Sequence, residues 1–251
     1  MHMKRLIAIL TIILFWSGSA AAQNMPEEEG ATQPMQTPQP MSLPKTDWLP
    51  EFGKVAVSGP VNVTFKRVEK AEEAKIVYDT KGSTTSRFRA AVNKNGVLQL
   101  SERVDAKSTL VTEATVYYVA LDEVKVDHAT VTFTDPIRST LFDLLVSGGA
   151  IVAMELDVLD AFVECTGKSA LKLSGSARYL KLNVSTASID AQSLNTVSTD
   201  VNASHGAEIY IAVEERLEAV TSTAAKLYYK GSPTILRNRN SLFGGEIAPV
   251  K

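Results

Sequence analysis

Between Phe142 and Tyr229 apolar and polar residues alternate at period two, break at a small polar residue, and resume. The residue before each break forms a column: Val126, Val146, Cys165, Val184, Ala203 and Thr221, at steps of 20, 19, 19, 19 and 18. Two positions earlier stand Val124, Leu144, Val163, Leu182, Val201 and Ala219. The break carries Asp127, Ser147, Thr166, Ser185, Ser204 and Ser222. After it come Val131, Ile151, Leu171, Ile189, Ile209 and Leu227, and two further on Phe133, Ala153, Leu173, Ala191, Ile211 and Tyr229. Period two sends successive side chains to opposite faces and marks strands. A helix needs i, i+3, i+4 spacing, and Gly148, Gly149, Gly167, Gly175 and Gly206 would each cost about 1 kcal/mol inside one.

One such unit cannot bury its apolar face. Stacked at a constant step, each column covers the same column in the next unit and a continuous core forms. A repeat of about 19 residues is too short for a strand–helix–strand crossover, which takes roughly 30. The predicted fold is all-β: a single-stranded, right-handed parallel β-helix (β-solenoid) with coils of about 18–20 residues. The hand follows from the crossover rule for parallel strands.

The first half repeats less cleanly. Val55 and Val57 before Ser58, Ile76 and Tyr78 before Asp79, and Leu98 and Leu100 before Ser101 read as three successive coils. An insertion or hairpin is expected around 103–121, with strand composition at Thr115 to Ala120. The charged segment Glu69 to Lys75 reads as a short helix or a loop.

Residues 1–22 read as a signal peptide: Lys4 and Arg5, an apolar core from Leu6 to Trp16, then Ala20-Ala21-Ala22 before Gln23. The core is too short to span a bilayer, so nothing crosses a membrane once the signal is removed. Residues 23–50 read as a disordered Pro/Gln/Met-rich linker holding six of the ten prolines. The solenoid domain is assigned to 51–251, with Arg237 to Asn240 blunting its last open edge and Phe243 to Ile247 as a final strand. The expected location is exported: periplasm, outer-membrane surface or extracellular. A net charge of −2 gives no basic footprint for nucleic acid. The single Cys165 excludes a disulfide framework within the chain.

Phe52-Gly53-Lys54-Val55-Ala56-Val57-Ser58-Gly59-Pro60-Val61-Asn62-Val63 resembles the opening motif of the auto-transporter adhesin head GIN domain family (DUF2807). Ser-Gly-Gly-Ala at 147–150 and Ser-His-Gly-Ala at 204–207 resemble its recurrent turns, and Tyr229-Lys230-Gly231-Ser232-Pro233 its closing motif. Thr186-Ala187 and Thr223-Ala224 stand where glycine is usual. The resemblance covers about 51–247 and implies a β-solenoid secreted by Bacteroidetes-type bacteria. It implies no catalytic or binding residues.

Candidate chemistry is sparse. No nucleotide-binding glycine loop, zinc spacing or Ser-His-Asp order is visible, so no catalytic residue, cofactor or metal site is assigned. The outward columns before the break are Lys125, Leu145, Glu164, Asn183, Asn202 and Val220, and Glu123, Asp143, Phe162, Lys181, Asp200 and Glu218. Asp200 should neighbour Lys181 and Glu218, an arrangement weighed as a cation site against a solvated face. Asn183 over Asn202 reads as a structural amide ladder. His128 and His205 lie four coils apart and cannot share a metal. Cys165 reads as a small buried apolar residue. Arg87, Phe88 and Arg89 read as an exposed basic-aromatic spot or part of an irregular coil. The expected function is non-catalytic binding, adhesion or structure through the outer faces. Its partner would be a glycan or an envelope protein, and coil ends offer self-association. The second reading is a carbohydrate-active β-helix enzyme, a polysaccharide lyase or hydrolase.

Overall fold

The computed structural model describes residues 43–103, 109–240 and 244–250. The signal peptide at 1–22 lies outside the described residues, as does most of the linker. The strands in chain order are β1 (Lys45–Trp48), β2 (Lys54–Ser58), β3 (Val61–Arg67), β4 (Lys75–Asp79), β5 (Arg89–Val92), β6 (Val97–Ser101), β7 (Thr112–Tyr118), β8 (Glu123–Asp127) and β9 (Thr130–Phe133). There follow β10 (Ile137–Ser147), β11 (Ile151–Thr166), β12 (Ala170–Ser185), β13 (Ser188–Ser204), β14 (Glu208–Thr221), β15 (Lys226–Lys230), β16 (Ile235–Asn240) and β17 (Glu246–Pro249). One 3₁₀ turn, Ala71–Glu73, falls in the charged segment.

From β8 onward every pairing is parallel, and the chain winds as a β-solenoid. The column before the break stacks in register: Val126 on Val146, Val146 on Cys165, Cys165 on Val184, Val184 on Ala203, Ala203 on Thr221. All six side chains are buried. The column two residues earlier behaves identically. Each coil is one long strand that bends rather than two short pairs. In β11 the inward set Val152, Met154, Leu156 and Val158 gives way to Ala161, Val163 and Cys165. Leu159 and Asp160 both turn outward at that corner, which resets the alternation.

The second apolar column is corrected at one coil. Val152, not Ile151, pairs with Val131 and Leu171, and Met154, not Ala153, pairs with Leu173. Ile151 is 55% exposed. The cause is turn length. Four breaks place two residues at positive φ: Gly148-Gly149, Gly167-Lys168, His205-Gly206 and Thr223-Ala224. At Gly167-Lys168 the Ser169 hydroxyl donates to the Thr166 carbonyl, and the other three are closed by an N–H···O bond from the fourth residue to the first. Two successive positive-φ residues closed in this way make a type I′ turn. His128 and Thr186 are single positive-φ residues in shorter turns. Each turn ends on a small buried residue: Ala129, Ala150, Ser169, Ala187, Ala207 and Ala225. Ala187 therefore occupies the buried column, not a glycine position. Register steps between 17 and 21 absorb these differences, with bulges in β13.

At Thr223 and Ala224 two side-chain-bearing residues adopt the left-handed region at φ 50° and 60°. A β-branched residue there is strained, whereas Asn tolerates it. Thr223→Asn is expected to stabilise the fold by about 0.5–1 kcal/mol. An unchanged or lowered denaturation midpoint would show that the threonine side chain contributes more than its backbone costs.

The N-terminal half does not stack in chain order, which corrects the reading of three successive coils. β2 lies against β8, with Val57 on Val126, while β6 packs on the far side of β2, with Leu100 on Val57. β3 lies between β7 and β9. Tyr78 is not in this column; β4 runs antiparallel between β7 and β1. The strand near 115 is β7. The linker assigned to 23–50 also ends sooner, since Lys45–Trp48 pair with β4. Lys75 secures β1, its Nζ 5.3 Å from the Trp48 ring and 5.0 Å from that of Tyr117. These antiparallel strands cap the first coil. At the other end, among the described residues, β16 pairs only with β14, and β17 only with β15.

Candidate functional site

The corner where β10 to β13 reset their alternation forms a groove across the outer face. One wall is the column Leu141, Asp160, Tyr179 and Ser198; the other is Asp143, Phe162, Lys181 and Asp200. The inward residues Phe142, Ala161 and Leu180 lie between them, and the groove encloses about 410 Å³. Leu141 and Tyr179 are exposed, Phe162 half-buried. The Arg178 guanidinium carbon lies 5.5 Å from the Tyr179 ring centroid. Aromatic and aliphatic surface lies between three carboxylates and an ammonium, held by a sheet whose backbone hydrogen bonds fix their spacing.

Asp200 stands in register with Lys181 and Glu218, as the column spacing predicted. Glu218 is not free for a cation: Arg216 donates to its Oε1, and Arg237 Nη1 donates to the same oxygen at 2.9 Å. Among the described residues no group of three or more His, Cys, Asp and Glu side chains could hold a metal. Asn183 lies over Asn202 as expected. Cys165 is buried, and loss of water pushes its thiol up to about 12, so it stays a thiol.

The second groove wall escaped sequence reasoning. Its signal was present, since Leu141, Asp160, Tyr179 and Ser198 recur at a constant step of 19. These positions lie at the mid-coil corner, away from the breaks that mark the other columns.

Ser147, Asp127 and His128 meet at one turn in an order unlike a catalytic triad. Asp127 lies in the middle, accepting from Ser147 Oγ at 2.7 Å and contacting His128 Nδ1 at 2.8 Å. The serine proton points to the carboxylate, so the imidazole cannot accept it. These two hydrogen bonds, Ser147 first, hold the Asp127 carboxyl below its usual range. His205 lies in a distant turn, Nδ1 3.0 Å from Ser204 Oγ. Phe88 is not an exposed partner of Arg87 and Arg89; it packs on the core, 4.9 Å from the Tyr78 ring.

Fold and groove together define a parallel β-solenoid with a capped end and one concave outer corner. The chain belongs to the family described as "putative auto-transporter adhesin, head GIN domain", whose model matches residues 51–233. Solved structures share its fold. A protein of Bacteroides fragilis, described as a putative adhesin, superposes at a TM-score of 0.71 with 17% identity, over 85% of this chain and 99% of its own. A putative adhesin of Parabacteroides merdae gives 0.64 and 16%, over 83% and 96%. A putative lipid binding protein of Parabacteroides distasonis gives 0.61 and 13%, over 84% and 97%. None of the curated proteins matches the chain. No helix among the described residues is long and apolar enough to cross a membrane.

Proposed function

We propose that the protein is a non-catalytic binding module of the cell envelope or surface, and that the groove along β10 to β13 binds a glycan. The supporting observation is the pairing of Tyr179 and Phe162, diagonal across a concave corner, with Asp143, Asp160, Asp200 and Lys181 around them. An aromatic face covers the apolar side of a sugar ring, while carboxylates and an ammonium bond its hydroxyls. Coils repeat about every 4.8 Å, so the groove offers equivalent contacts to a repeating ligand. The adhesin name of the family and the export signal read in residues 1–22 agree with this role. The enzyme reading loses its candidate pair, because Glu218 is engaged by two arginines.

Tyr179→Ala removes the exposed ring without touching the core. It is expected to weaken binding of the best glycan on an array at least tenfold, about 1.4 kcal/mol. The melting temperature should stay at the parent value. No retained glycan across a broad array, or equal binding by the variant, would remove this assignment.

A further inference from the structure

We propose that Arg87, Arg89 and Arg103 form a second site, which takes a sulfate or phosphate group carried on a polysaccharide. β5 and β6 form an antiparallel hairpin in which Arg89 faces Ser101. The Arg87 N–H donates to the Arg103 carbonyl at 3.1 Å, which extends the same pairing. Alternation puts Arg87, Arg89, Ser101 and Arg103 on one face. With Ser58 and Glu102 they line a cleft of about 250 Å³, and all three arginines are exposed.

Glu102 makes the arrangement rigid. Its side chain is buried, a rare place for a carboxylate. Oε1 accepts from the backbone N–H of Arg87 at 2.9 Å and of Arg103 at 2.8 Å. Oε2 accepts from Ser86 Oγ at 2.8 Å and from Thr112 Oγ1. The carboxylate is satisfied by neutral donors and ties together both segments that carry the arginines. Among the described residues none of the three guanidiniums makes an ion pair. Asp127, in register with Ser58, is engaged by Ser147 and His128.

Three like charges on one held face repel each other, and an anion relieves that. The guanidinium fork matches the oxygens of sulfate and phosphate in two-point contact. The lining holds no aromatic or aliphatic side chain to enter a lipid surface. Instead a row of hydroxyls, interrupted by Asp127, leads away from it. Ser101 pairs with Ser58 and Ser58 with Asp127, and the break column continues through Ser147, Thr166, Ser185 and Ser204. A polymer rich in hydroxyls could follow that row coil by coil.

The test uses the full chain on immobilised heparin, a sulfated polysaccharide, across a salt gradient. The chain carries a net charge of −2, so retention requires a local basic site. Each single change Arg87→Gln, Arg89→Gln or Arg103→Gln is expected to weaken binding about tenfold. The triple variant should flow through while melting at the parent temperature. Tyr179→Ala should be retained like the parent, which separates this site from the groove. Equal retention of parent and triple variant would overturn the proposal. So would capture by vesicles of phosphatidylcholine and phosphatidylglycerol with none by heparin, which would assign the arginines to lipid headgroups.

Discussion

Val184→Asp unfolds the solenoid or lowers its stability on the order of 3 kcal/mol or more. Val184 is 3% exposed, with Cys165 below it and Ala203 above it in the inward column. Neither neighbour carries a charge to pair with a carboxylate. The aspartate must stay ionised at great cost, take up a proton, or push the coil open. Chemical denaturation of the variant measures the effect directly. The surface control is Asn183→Ser, one residue away and pointing outward, which adds no charge beside Glu164 and should shift the midpoint by less than about 0.5 kcal/mol. Equal effects from the two would mean that the inward and outward sets have been exchanged.

Gly175→Ala is expected to cost about 3 kcal/mol although it adds a single methyl group. Gly175 lies within β12 at φ +97°, where L side chains are rare. A Cβ there would stand 2.1 Å from the carbonyl oxygen of Leu156, the residue paired with it on the preceding coil. That neighbour is backbone inside a continuous ladder and cannot rotate away. The coils must separate locally or β12 must change its bend. Gly206→Ala is the matched control, since a Cβ there meets nothing within 4 Å although φ is also positive, at 71°. The difference between the two variants isolates the contact from the backbone strain. Similar destabilisation by both would show that close coil approach contributes little.

The inward columns were legible because their signal is local and repeated. Burial on one face forces alternation, and stacking forces the same phase in every coil. Val146, Cys165, Val184 and Ala203 could be aligned by counting. Counting failed at Ile151 and Ala153 because one added turn residue shifts the face, and turn length there is set by backbone geometry that Gly148-Gly149 permits but does not announce. It failed again between Val57 and Val126. β6 and β7 resemble further coils in pattern, yet they pack outside β2 and β3. Pattern shows which face a residue takes and leaves open which strand lies beside it.

The candidate sites divide in the same way. One groove wall was visible as the column from Glu123 to Glu218, while the engagement of Glu218 by Arg216 and Arg237 was not. The arginine cleft depends on Glu102, whose partners come from Ser86, Arg87, Arg103 and Thr112. Nothing in the alternation marks such a carboxylate for burial. The chain alone determined a stacked, parallel, all-β core, because apolar burial acts through periodicity that any reader of the residues can count. Tertiary structure alone decided the order of the N-terminal strands, the bend that opens the groove, and which charges are already paired. Those depend on backbone curvature and on contacts between residues far apart in the chain, where spacing carries no information.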